Sequence, residues 1–139
     1  MKSTPSPRSF LLLLAAAALP LTGAETADAL IERGRYLVHD VAGCVDCHSP
    51  RDEKGQFLAD RHLTGAVLGF APTVPMPWAP AAPSIAGLEG YTTEQAVTFL
   101  MTGTRPSGVP PLPPMPAYRL NQADARAVVA YLQSLAKKS

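Results

Sequence analysis

The stretch Cys44-Val45-Asp46-Cys47-His48 decides how this chain is read. It is C-x-x-C-H, the pattern of covalent haem attachment. Two thiols at this spacing can each add to one vinyl group of a haem. The imidazole that follows at once can supply the proximal nitrogen to the iron. Tethering lets a small protein keep the cofactor without a large pocket. A bare C-x-x-C also serves as half a zinc site or as a redox dithiol. A zinc site wants a second Cys or Cys/His pair, and Cys44 and Cys47 are the only cysteines in the chain. His39 and His62 are available, but at spacings unlike a usual zinc motif. A redox dithiol wants a strand before it and a helix after it. Here a helical pattern precedes the motif and the polar stretch Ser49-Pro50-Arg51-Asp52-Glu53-Lys54-Gly55 follows it.

Upstream of the motif, residues 27–41 carry a helical pattern, with Leu30, Gly34, Leu37, Val38 and Val41 on one face. Thr26 or Asp28 can cap its start. Gly34 is either a tolerated glycine or a point of close approach by another helix. The N-terminus reads as a targeting segment. Lys2 and Arg8 precede an apolar run from Phe10 to Leu21, and Thr22-Gly23-Ala24 is a small-residue cleavage site. Residues 1–24 are therefore expected to be a signal peptide and 25–139 the mature domain. Ala27-Asp28-Ala29 is a second possible cut that would shorten the first helix. The run is short for a bilayer span, so no stable membrane span is expected after cleavage, with an uncleaved anchor as the alternative.

Of 139 residues, 12 are basic and 11 acidic, and loss of residues 1–24 shifts the formal charge from +1 to −1. Such a balance argues against nucleic acid as a partner and against a strongly basic docking face. Haem attachment to thiols needs an export route, so a bacterial periplasm is the expected location. The mature chain is small for a purely hydrophobic core, and a covalently held haem would supply much of that core.

Downstream, Pro72, Pro75, Pro77, Pro80 and Pro83 exclude helix and central strand over 72–83. Trp78 lies inside this loop, either with its N–H on a haem propionate or simply covering core. Thr92-Thr93-Glu94-Gln95 reads as a capping box opening a helix with Ala96, Phe99 and Leu100 on one face, and Gly103 ends it. A second proline cluster, Pro106 to Pro116, contains Met115. Asn121 caps the last helix, with Asp124 in its first turn, Val128, Tyr131, Leu132 and Leu135 as its apolar stripe, and Lys137 and Lys138 suited to its C-terminal end. The expectation is an all-α fold of three to five helices with two long proline-rich loops that wall a cofactor.

These residues resemble class I c-type cytochromes, small mono-haem proteins with the haem edge exposed. Arg33-Gly34-Arg35-Tyr36-Leu37-Val38 and Cys47-His48-Ser49-Pro50-Arg51-Asp52-Glu53-Lys54-Gly55 look like the cytochrome c subunits and domains of bacterial periplasmic dehydrogenases. Tyr91-Thr92-Thr93-Glu94 resembles their middle-helix start, Pro114-Met115-Pro116-Ala117-Tyr118 their distal methionine segment, and Ala127-Val128-Val129-Ala130-Tyr131-Leu132 their C-terminal helix. The family often has Asn-Ile-Thr or Asn-Leu-Thr before the middle helix, where this chain has Ser84-Ile85-Ala86. The resemblance implies crossing first and last helices, with Gly34 against Tyr131, and one covalent haem c with its iron.

The resemblance also implies an iron held between His48 and a distal ligand. Met76, Met101, Met115 and His62 are the candidates. Pro75-Met76-Pro77 copies the proline-flanked setting of Met115, so local sequence leaves those two tied; position in the family's order favours Met115, with Met76 as rival. An imidazole and a thioether raise the haem potential and leave no site for substrate. The expected function is electron transfer between a periplasmic dehydrogenase and the respiratory chain. The partners are redox proteins met by weak, transient docking or as fellow subunits of a complex. A haem-based gas or redox sensor with a weak or open sixth position is the alternative. A di-haem peroxidase would need a second C-x-x-C-H.

Overall fold

The computed structural model describes residues 26–136. The expected signal peptide, its cleavage sites up to Ala24, and Lys137 and Lys138 lie outside the described residues. The chain runs α1 (Ala27–Tyr36), a π-helical turn (Leu37–Val41), α2 (Cys44–His48), β1 (Ala66–Val67), β2 (Ala81–Ala82), α3 (Thr93–Thr102) and α4 (Gln122–Ser134), with short 3-10 turns at Ala59–Arg61 and Ala86–Leu88.

Caps start the three long helices where the sequence puts them. Thr26 Oγ accepts from the Ala29 N–H at 3.2 Å. Thr92 and Gln95 satisfy each other's backbone donors at 3.2 and 3.0 Å, closing the capping box. Asn121 Oδ1 accepts from Asp124 N–H at 2.8 Å. Each such cap contributes about 1 kcal/mol by satisfying an orphan donor of the first turn. Gly103 ends α3 with φ +69°, a conformation glycine adopts without a Cβ penalty.

The frame is the crossing of α1 and α4, with α3 packed on α4. Gly34 is buried at that crossing, and a Cβ on it would collide with the Ala127 carbonyl oxygen and stand 2.7 Å from Tyr131 Cβ. Close approach is therefore the reason for this glycine. Asp124 also takes Arg33 across the crossing at 2.9 Å. The apolar stripe of α4 is buried as expected at Val128, Tyr131 and Leu132, while Leu37 and Val38 meet it from the first helical stretch.

Two features depart from the sequence reading. The helical run over 27–41 ends as a wider π-turn, closed by Ala42 N–H to Leu37 O at 2.8 Å. One extra residue in that turn rotates Val41 off the apolar face, and it is 58% exposed. A two-residue antiparallel ladder also forms, Ala66 opposite Ala82 and Val67 opposite Ala81, with its second strand inside the proline-rich loop. It stands beside the helices and leaves the fold mostly helical.

The crossing yields a test. Gly34→Ala should gain about 1 kcal/mol of helix propensity, yet lose more, because its Cβ meets backbone that has no rotamer to yield. A net loss of roughly 1–3 kcal/mol follows, read as a drop in Tm of the haem-loaded protein; an unchanged or raised Tm would contradict the close approach.

Candidate haem site

The motif enters on α2, whose preceding residue Gly43 has φ +61°. This left-handed turn swings the chain out of the π-turn and brings Cys44, Cys47 and His48 to one cavity of about 410 Å³. The same cavity is lined by Ile85 and Leu88, by Phe99 and Leu100 of α3, by Val128 and Leu132 of α4, and by Met115 and Tyr118 of the second proline-rich loop. Its walls are thus largely apolar and come from α2, α3, α4, β2 and the loops between them.

His48 is 6% exposed. Its Nδ1 lies 2.7 Å from the Pro83 carbonyl oxygen. A carbonyl can only accept, so Nδ1 carries the proton and Nε2 keeps its lone pair. Burial lowers the pKa of the ring, and the Pro83 bond partly opposes this. The ring is therefore a neutral imidazole, the form that binds metal, already oriented by its other nitrogen. The backbone on either side is pinned too: Gly65 N–H donates to His48 O at 2.7 Å, and Ser49 Oγ accepts from Leu63 N–H at 3.0 Å.

Leu63 is a residue that sequence reasoning missed. It is fully buried, and its φ is +57°, a conformation that costs a non-glycine residue about 1–3 kcal/mol. Its carbonyl receives Ile85 N–H at 3.0 Å and Ala86 N–H at 3.1 Å. Leu63 thus ties the segment after the motif to the segment that supplies Pro83. No local signal marks it, since its role is made by partners 14 and more residues away. Ser84, standing in the family's Asn position, lines the cavity, and its hydroxyl lies 3.5 Å from the Leu63 carbonyl.

Burial pushes the Cys44 thiol up to about 11. Tyr118, whose hydroxyl donates to the Ala42 carbonyl at 2.8 Å, is raised as well, by burial first and then by Cys44. A reactive dithiol needs a depressed thiol pKa, and Cys44 has the opposite. Among the described residues no group of three or more His, Cys, Asp or Glu is gathered as for a metal ion. Both competing readings of the cysteine pair lack support in the geometry.

The four candidate distal ligands lie in different places. Met115 lines the cavity. It is held between Pro114 and Pro116 in a turn closed by Met115 N–H to Leu112 O at 3.3 Å, and Ala79 N–H to Pro113 O at 2.8 Å joins the two proline-rich loops just before it. Met76 is 45% exposed and is not part of the lining. Met101 packs against the buried cluster of Ala96, Val97, Ala125 and Val129. His62 stacks on His39, with ring centroids 4.9 Å apart.

The donor set and walls fit a haem. So does one orphan: Trp78 Nε1 is buried with no hydrogen-bond partner, while its indole stands edge-on to Phe70 at 5.8 Å. A buried unpaired donor costs roughly 1–3 kcal/mol, and a haem propionate would satisfy it. Trp78 itself is not among the lining residues, but the next residue, Ala79, is. Arg105 is a cationic side chain on the lining and would suit the second carboxylate.

Comparison with known proteins agrees with this geometry. The family model for cytochrome c matches residues 31–136. The fructose dehydrogenase cytochrome subunit of Gluconobacter japonicus is 30% identical over 112 residues, which cover 77% of this chain and 22% of that subunit. The chain thus spans about a fifth of the length of the curated relative it matches. With the C-x-x-C-H helix opening on a largely apolar cavity and the family model matched over most of the chain, this chain belongs to the cytochrome c family, the family of covalent haem c.

Proposed function

We propose that this chain is a periplasmic mono-haem carrier whose haem is bonded to Cys44 and Cys47 and ligated by His48 and Met115. The observation that carries the reading is the convergence of those four side chains on one cavity. Haem, when bound, supplies an iron that takes up and releases one electron at a time. His48 contributes a neutral imidazole whose direction is set by Pro83. Met115 contributes a soft thioether that favours the ferrous state. The apolar walls exclude water, and Trp78 and Arg105 take the propionates.

The partner is a periplasmic dehydrogenase, or the acceptor that follows it in the respiratory chain. Support comes from the relative named as a dehydrogenase cytochrome subunit. Phe70, Val74, Met76, Val109 and Leu112, in or next to the proline-rich loops, are also exposed, and Leu112 lies on the cavity lining. With a formal charge near zero, docking there rests on apolar contact more than on steering. No described helix is long and apolar enough to cross a membrane. Cleavage after Ala24 is the reading favoured over a cut after Ala29, which would remove Thr26, the cap of α1.

Intact-mass analysis of the exported protein under denaturing conditions should give residues 25–139 plus one haem. Cys44→Ser or Cys47→Ser should leave a single thioether. Two free thiols and no added mass in the wild type would end the proposal.

Ligation is tested with two variants. Met115→Ala should abolish the weak iron–sulfur charge-transfer band of the oxidised protein and lower its potential, by on the order of 0.1 V or more given the span that axial ligands command. Met76→Ala should do neither. Loss of the band in Met76→Ala instead would reassign the distal ligand and leave the electron carrier intact.

A further inference from the structure

The two histidines that the haem reading leaves unused meet each other. His39, in the π-turn after α1, and His62, in the segment before Leu63, place their Nε2 atoms 3.3 Å apart. The ring planes are 26° apart and the centroids 4.9 Å, so the rings meet at their Nε2 corners, closer than at their centres. Tyr131 of α4 brings its hydroxyl to 2.8 Å from the same His39 Nε2. All three converge from separate elements, and both histidines are half-buried.

Hydrogen bonding alone does not satisfy this cluster. A ring nitrogen offers one N–H or one lone pair, never both. His39 Nε2 can therefore serve either Tyr131 or His62, and the other is left facing it unpaired. Protonating both rings would set two positive charges face to face. Burial lowers the pKa of each ring, and for His39 the charges of His62 and Arg35 lower it further against Asp40. The rings are kept neutral, and neutral imidazole is a ligand.

We propose that His39 and His62 form a second metal site, apart from the haem, for a borderline divalent cation such as zinc. Two nitrogens bound at 2.0–2.1 Å to a tetrahedral zinc stand about 3.3–3.4 Å apart, which is the separation found here. The remaining positions belong to water, and the Tyr131 hydroxyl turns from His39 to hydrogen-bond one of those waters. Imidazole suits zinc, copper and nickel, whereas calcium and magnesium want oxygen donors. The site joins the π-turn to the segment whose next residue, Leu63, is bonded to Ser49. An ion there clamps the backbone that follows the haem-attachment motif.

The test uses the untagged, haem-loaded protein, stripped with chelator and titrated with zinc chloride in a non-coordinating buffer by calorimetry. One zinc should bind per chain. His39→Gln and His62→Gln should each weaken binding at least about tenfold. Zinc should raise the Tm of the wild type and leave both variants where they were. Magnesium should give neither heat nor shift. Unchanged visible spectra of the variants would show that the haem domain is intact, and the Tm readout on that folded protein keeps the result interpretable. Absence of zinc binding, or binding that survives both substitutions, would overturn the proposal without touching the haem assignment.

Discussion

The bond from His48 Nδ1 to the Pro83 carbonyl is the constraint on which the site depends. It fixes which nitrogen is free and where the ring stands. It also requires that a loop 35 residues further on be held against α2. That is what the short ladder of Ala66 and Ala82 does, together with Gly65 on the His48 carbonyl and Ile85 and Ala86 on Leu63. Leu63 adopts a strained backbone because so many bonds over-determine it. The irregular half of the molecule is thus a rigid holder for one imidazole.

The helices supply the other constraint. Val128 and Leu132 lie in the core shared with Leu37 and Val38 and also line the cavity. Crossing α1 and α4 at Gly34 buries one side of α4, α3 covers Ala125 and Val129, and Val128 and Leu132 also face the cavity. A chain folded this way without its haem would carry about 410 Å³ of apolar space. Water entering that space would leave its apolar lining unburied, so the hydrophobic stabilisation of those walls comes only with the haem. Protein and cofactor are in this sense one core, and tethering through the cysteines keeps the partner that completes it.

Local signals were legible in the sequence and non-local ones were not. Thr26, Thr92, Asn121 and Gly103 act within a few residues of themselves, so their roles as caps and stop could be read directly. Gly34 left two readings open, a tolerated glycine or a close approach, and the contact with Ala127 and Tyr131 across the crossing decided between them. Val41 was misplaced because a π-turn leaves no mark in a 3.6-residue pattern. A two-residue ladder is too short for alternation to register. Leu63, the unpaired Trp78 N–H and the meeting of His39 with His62 all depend on contacts across the fold. The proline-flanked Met76 and Met115 were indistinguishable by local context; position in the family's order favoured Met115, and the fold puts Met115 on the cavity lining and leaves Met76 exposed.

The central claim is that haem is a structural part of this core and not an addition to a finished fold. Far-UV circular dichroism during urea unfolding tests it, comparing the haem-loaded protein with the haem-free Cys44→Ala/Cys47→Ala chain. The account predicts a cooperative transition for the first and none for the second, which should be largely unfolded in buffer. A haem-free chain that unfolds cooperatively at a similar urea midpoint would contradict it.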